Sequence, residues 1–242
     1  MRVEDGGGRA GEGTNEIKRV KLLTPGRLFV KVCGLTRLED AVVCGEAGVD
    51  AIGINFFPGS KRYHGIEEAR EWLPEVPAGL LRIGLFVNAS IGEIERVAGS
   101  GLLEGIQLHG DEPVEFTEAV QQIGLPVLRA VALREERDLE RIAVDPAEAF
   151  ILDAFAPGVY GGTGHRCDWP LAARAVREFP EKVLILAGGL TPENAGEAVW
   201  AVRPAGVDTA SGVEVRPGVK DGGMIWGFAG AARAKPDYSD ME

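Results

Sequence analysis

Cysteine is scarce in this chain. Cys33, Cys44 and Cys167 are odd in number and widely spaced, and no two of them form a CxxC pair. That argues against a disulfide framework and against a thiolate zinc site, and makes a reducing, cytoplasmic setting the simplest expectation. Histidine is as sparse: His64, His109 and His165 are scattered, so no metal constellation is expected. Basic charge is short, with 26 Lys and Arg against 37 Asp and Glu and a net charge of −11. Such a chain repels a phosphate backbone and an anionic bilayer, so neither nucleic acid nor membrane is an expected partner. Long apolar runs are missing as well. None reaches the roughly 18 residues of a membrane helix, and the N-terminal stretch lacks the apolar h-region of a secretory signal. No GxGxxG follows the first apolar run, which weakens a dinucleotide-binding reading.

The 242 residues are 45% apolar and 26% charged, which suits one large folded domain. Residues 1–27 are rich in glycine and charge and hold no aromatic side chain. They read as a flexible extension with a short helical turn near Glu16–Leu23, and residues 235–242 read as a polar tail. The domain is therefore expected to span residues 28–234.

Within it, eight short apolar runs alternate with helical-period segments. The runs are Phe29–Cys33, Ala51–Phe56, Leu81–Val87, Gly105–Leu108, Val127–Ala132, Ala149–Asp153, Val183–Ala187 and Val207–Ala210. They are apolar on both faces, as buried parallel strands should be. The helical segments are Leu38–Ala47, Gly65–Trp72, Ile91–Ala98, Pro113–Ile123, Glu136–Ile142, Pro170–Phe179, Pro192–Trp200 and Met224–Arg233. Thr36, Asp168 and Thr191 stand where caps for three of these helices are expected. Eight such units predict an α/β fold of the (β/α)8 TIM-barrel type, with an open doubly wound sheet as the alternative.

In a barrel, chemistry belongs where strands end. Lys31 and Cys33 share one face of the first strand, where an ammonium would favour the thiolate. A buried structural cysteine beside a snorkelling lysine fits the same letters. Gln107 and His109 alternate onto one face of strand four, to contact a ligand or orient Cys33. Asp153 ends strand six, ahead of a long loop carrying Gly161-Gly162-Thr163-Gly164. Gly188 and Gly189 follow strand seven, while Asp208, Ser211 and Gly212 mark the end of strand eight. Glycine-rich ends of strands seven and eight form the usual phosphate site of such barrels. In loop two, Arg62 has the fork geometry to grip a carboxylate, or is one more charge on a solvated loop.

Taken together these motifs resemble phosphoribosylanthranilate isomerase, a family of tryptophan biosynthesis. The resemblance runs from about Leu28 to about Arg233 through KVCGLTRLEDA, GVDAIGINFFPGSKRY, IGLFVN, IQLHGDE, ILDA, GGTGHRCDW, LAGGLTPENA and VDTASGVEVRPGVKD. It implies a cofactor-free Amadori rearrangement of a small phosphosugar, N-(5-phosphoribosyl)anthranilate, by a monomer or homodimer. Cys33 matches the family's general base, Asp153 its general acid, and Arg62 the arginine that meets the anthranilate carboxylate. The amides of Gly162, Gly189, Ser211 and Gly212 match its phosphate site, and Asp208 a residue near the substrate amine. Three positions depart from the pattern: Lys61 stands for a proline, Ala210 for a serine and Cys167 for an aromatic residue. Two rival readings are another phosphosugar enzyme on the same barrel and a catalytically silent phosphosugar binder. The presence of both Cys33 and Asp153 argues against the silent binder.

Overall fold

The computed structural model describes residues 26–154 and 166–234. The expected extension with its turn at Glu16–Leu23, the C-terminal tail and most of the loop after Asp153 lie outside them. Eight parallel strands close into a barrel: β1 (Phe29–Cys33), β2 (Ala51–Asn55), β3 (Leu81–Phe86), β4 (Gly105–Leu108), β5 (Val127–Leu133), β6 (Ala149–Ala154), β7 (Val183–Leu186) and β8 (Gly206–Thr209). The last strand pairs with the first, Phe29 opposite Gly206 and Lys31 opposite Asp208. This closure decides for the barrel over the open sheet.

Helices alternate with the strands: α1 (Leu38–Glu46), α2 (Ile66–Arg70), α3 (Ile91–Ala98), α4 (Val114–Gln121), α5 (Leu139–Val144), α6 (Trp169–Glu178), α7 (Ala195–Val202) and α8 (Gly222–Arg233). The strands' two faces have different partners. Phe29, Ala51, Ile83, Leu128, Ala149, Ile151 and Ile185 fill the barrel, while Val30, Val32, Ile52, Ile106, Phe150 and Leu184 pack outward against helices. Burial on both sides explains the continuous apolar runs.

Polar residues on the outward face are paired. Arg129 is fully buried, and its guanidinium donates to the Glu112 carboxylate at 2.7 Å and to the Glu112 carbonyl. At the start of the strands, Asp50 accepts from the Val30 backbone at 2.8 Å and pairs with Arg233 at 2.6 Å, tying α8 to the barrel floor.

Local signals were right in part. Asp168 caps α6 by accepting from the Leu171 N–H at 2.9 Å, as expected. Thr36 does not cap α1: its hydroxyl donates to the Gly218 carbonyl at 2.7 Å, and Arg37 occupies the cap position. Thr191-Pro192 does not open α7 either. Asn194 turns back to accept from the Thr191 N–H, and the helix starts at Ala195. The segment expected to begin a helix at Glu136 forms a 3₁₀ turn before α5. After β8 the chain adds an unexpected antiparallel hairpin, β9 (Glu214–Arg216) and β10 (Val219–Lys220).

Candidate active site

Side chains two apart along a strand face the same way. Phe29 faces inward, so Lys31 and Cys33 do too; the same parity carries Gln107, Asp153 and Asp208 inward from β4, β6 and β8. All five therefore rise toward the carboxyl ends of the strands. There, Cys33, Gly34, Asn55, Ser60, Arg62, His109, Asp153, Gly188, Gly189, Asp208 and Ser211 border one cavity. The space between these residues, open to solvent on one side, is about 620 Å³.

Lys31 and Gln107 do not line this cavity. Both are fully buried and reach it through neighbours. Lys31 Nζ donates to Asp208 Oδ2 at 2.9 Å, a pair set by their opposition in the β1–β8 register. Gln107 Nε2 lies 2.8 Å from His109 Nδ1, and His109 Nε2 lies 3.1 Å from Asp153 Oδ2. The amide nitrogen donates, so Nδ1 accepts and Nε2 carries the proton toward the carboxylate. His109 thus orients Asp153 rather than Cys33. The other Asp153 oxygen accepts from the Ala154 N–H at 2.8 Å.

The electrostatics correct one expectation. Burial pushes the Cys33 thiol above its ordinary value, and the neighbouring Lys31 and Lys220 charges only partly draw it back. Burial likewise lifts the Asp208 carboxyl against the pull of Lys31. Lys31 keeps its charge: burial opposes it, but Asp208 and Cys33 outweigh burial and raise it.

Loop two presents Arg62 inward. Asn55 Nδ2 donates to Ser60 Oγ at 3.0 Å, and that hydroxyl accepts from the Arg62 N–H at 3.0 Å. Lys61 is exposed while Arg62 turns toward the cavity, so the missing proline has not unravelled the loop. His64 accepts from Trp72 Nε1 at 2.8 Å, away from the cavity. At the end of β7, Gly188 holds φ +77, and a Cβ there would press on the Ala154 nitrogen at 2.7 Å and Asp153 Oδ1 at 3.0 Å. Ser211 opens a 3₁₀ turn with Gly212, whose backbone packs against the Leu190 carbonyl. Gly162 and His165 lie outside the described residues. Cys44 and Cys167 are buried thiols, both pushed up to about 12, chiefly by burial.

Sequence reasoning missed Glu214 and Lys220. Glu214 pairs bidentately with Arg62, and Lys220 donates to the Cys33 carbonyl at 2.6 Å. The Pro217-Gly218 dipeptide between Val215 and Val219 was the available signal, because it marks a tight turn between short strands. Among the described residues, no group of His, Cys, Asp and Glu is arranged to hold a metal ion, and no helix is long and apolar enough to cross a membrane.

Residues 30–230 match the family model described as N-(5'phosphoribosyl)anthranilate (PRA) isomerase. Among curated relatives, N-(5'-phosphoribosyl)anthranilate isomerase of Rubrobacter xylanophilus is 44% identical over 206 residues, covering 85% of this chain and 98% of that one. The Thermotoga maritima protein of the same name is 43% identical over 192 residues, covering 79% and 92%. A crystal structure of phosphoribosyl anthranilate isomerase from Thermotoga maritima superposes with a TM-score of 0.78 at 42% identity, covering 85% of this chain and 98% of that one. A second structure of such an isomerase, in complex with reduced 1-(o-carboxyphenylamino)-1-deoxyribulose 5-phosphate, superposes with a TM-score of 0.74 at 39% identity, covering 85% and 98%.

Proposed function

This chain belongs to the N-(5'-phosphoribosyl)anthranilate isomerase family, and from that premise we propose how its cavity carries out the aldose-to-ketose isomerisation of tryptophan biosynthesis. The observation that supports the assignment of roles most is that a thiol and a carboxyl, Cys33 and Asp153, border one cavity from separate strands. The reaction needs an acid at the ribose ring oxygen and a base at carbon 2, and two groups across a barrel mouth can flank one sugar.

Asp153 gives a proton to the ring oxygen. The bond from that oxygen to carbon 1 breaks, and the ring opens to an iminium. Cys33, as the thiolate, takes the proton from carbon 2. The electron pair moves toward the iminium nitrogen and forms an enolamine. Tautomerisation, in which carbon 1 gains a proton and the hydroxyl on carbon 2 loses one, yields 1-(o-carboxyphenylamino)-1-deoxyribulose 5-phosphate. Exchange with solvent returns the proton from Cys33 and restores the one on Asp153. The nitrogen is the electron sink, so atoms and electrons balance without a cofactor.

Arg62 meets the anthranilate carboxylate. The backbone at Gly188, Gly189, Ser211 and Gly212, with Gly162, receives the phosphate at the ends of β7 and β8. Asp208 lies near the substrate amine and is held in place by Lys31, whose ammonium donates to it at 2.9 Å. His109 holds Asp153, and Gln107 holds His109. Residues 28–234 form one catalytic barrel, flanked by the extension and tail. The enzyme works in the cytoplasm on a small phosphosugar, as a monomer or homodimer.

The test follows substrate fluorescence in EDTA for wild type, Cys33→Ala and Asp153→Asn. Wild type should turn over regardless of EDTA, and each variant should lose about 10²–10⁴ in kcat/KM. Absence of turnover by folded wild type would overturn the assignment, as would variants that match wild type.

A further inference from the structure

The hairpin after β8 carries charged residues for which the chemistry above has no role. We propose that Glu214 is a positioning residue for Arg62, and that the β9–β10 hairpin thereby sets how the enzyme recognises the carboxylate on its substrate's aromatic ring. The inference rests on the reading that Arg62 meets that carboxylate.

Glu214 is held from three segments. Its Oε1 accepts from Arg62 Nε at 2.8 Å, from the Gly218 N–H at 3.1 Å and from Lys220 Nζ at 2.7 Å; its Oε2 accepts from Arg62 Nη2 at 2.7 Å. The side chain is only 4% exposed. The arginine and lysine partners outweigh burial and hold the carboxyl below its ordinary value. A carboxylate with this many donors is a fixed part of the wall.

The consequence lies in what Glu214 leaves of the guanidinium. Arginine has five N–H donors. Glu214 engages Nε and one hydrogen of Nη2. The remaining three, two on Nη1 and one on Nη2, form the end of the fork, and that edge can grip a second carboxylate bidentately. The arginine stem is fixed too. Gly34 adopts φ +78, and a Cβ there would collide with Arg62 Cδ, so the stem lies against bare backbone next to Cys33. Lys220 completes the unit: its ammonium donates to the carbonyls of Cys33 at 2.6 Å and Ala210 at 3.0 Å as well as to Glu214. One buried cluster therefore locates both the carboxylate ligand and the backbone of the base.

Two effects of Glu214→Gln oppose each other. Losing an anion strengthens the positive field that attracts the substrate carboxylate. It also leaves Arg62 and Lys220, which repel one another, without the group they share. Lys220 is fully buried and held by two carbonyls, whereas Arg62 sits on a surface loop. The Arg62 stem stays against Gly34, but its guanidinium, freed of Glu214, should turn about its last torsions, and loss of position should outweigh the gain in field.

The experiment compares calorimetric binding of two stable ligands, reduced 1-(o-carboxyphenylamino)-1-deoxyribulose 5-phosphate and its phenylamino counterpart lacking the carboxylate. Glu214→Gln should weaken the first by about tenfold to a hundredfold and the second by less than about threefold. In an Arg62→Ala background the same change should cost little further, because there is nothing left to position. Tighter binding of the carboxylated ligand would make Glu214 a competing anion and overturn the proposal. Equal weakening of both ligands would overturn it as well, by showing a general structural role. If wild type fails to prefer the carboxylated ligand, the fault lies with the reading of Arg62 rather than with Glu214.

Discussion

His109 Nε2 lies 3.1 Å from Asp153 Oδ2 although 44 residues separate them in the chain. The contact joins the ends of β4 and β6 across the barrel mouth. Gln107, from the same strand, fixes the imidazole from its other nitrogen at 2.8 Å. The carboxyl assigned to protonate the ring oxygen is therefore aimed by a two-residue chain.

His109→Asn should lower kcat by about tenfold to a hundredfold, the worth of one hydrogen bond to the carboxylate that forms as the proton leaves Asp153, with KM nearly unchanged. Thermal unfolding should show a folded protein. Gln107→Leu should give a smaller loss in the same parameter, since it acts one step further from the substrate. A change confined to KM in either variant would place these residues in binding instead.

Cys33 makes the enzyme sensitive to pH in a definite direction. Burial holds the thiol above the ordinary value of 9.0, so the thiolate fraction at neutral pH is small and grows as pH rises. kcat/KM should climb through the alkaline range until the thiol has titrated. Lys31 is the largest influence opposing that burial. Lys31→Met should displace the limb to still higher pH and cost roughly tenfold at neutral pH for each unit of displacement. The rate of Cys33 alkylation by iodoacetamide reads the same titration without turnover. Cys44 and Cys167, both pushed up to about 12, stay silent below that range. An alkylation profile that Lys31→Met leaves in place would refute the coupling.

Gly188 is the third test. Its φ of +77 disfavours any side chain by about 1–2 kcal/mol, and a methyl there presses on the Ala154 nitrogen and the Asp153 carboxylate. Gly188→Ala should lower stability by at least that amount in urea unfolding. It should also reduce kcat, because the displaced group is the proposed acid. Stability loss with kcat intact would confine the glycine to a turn.

Much of this was legible in the sequence because it depends on short-range rules. Runs apolar on both faces with helical segments between them imply parallel strands covered by helices. The two-residue period of a strand fixes Lys31 with Cys33, and Gln107 with the direction of His109. Turn glycines at the ends of β7 and β8 are readable from the letters alone, and they are the ground for the proposed phosphate site. The motifs that resemble the isomerase family follow the same linear logic, which is why Cys33, Asp153 and Arg62 could be put forward for the site without coordinates, and the structure brings all three to one cavity.

Only tertiary structure decided how those residues are paired. Lys31 meets Asp208 across 177 residues, Arg62 meets Glu214 across 152, and Lys220 reaches the Cys33 carbonyl across 187. Each pairing exists because β8 closes on β1 and the following hairpin folds back over the first two loops, a register that no local pattern contains. The helix start at Thr36 failed for the same reason: its hydroxyl took the distant Gly218 carbonyl as partner. The start at Thr191 failed locally, because Asn194 closed a turn on the Thr191 N–H before the helix began. The Cys33 thiol is the clearest case. A lysine two residues away argues for a thiolate, yet burial, which is a property of the whole barrel, outweighs the neighbouring charge and pushes the thiol up.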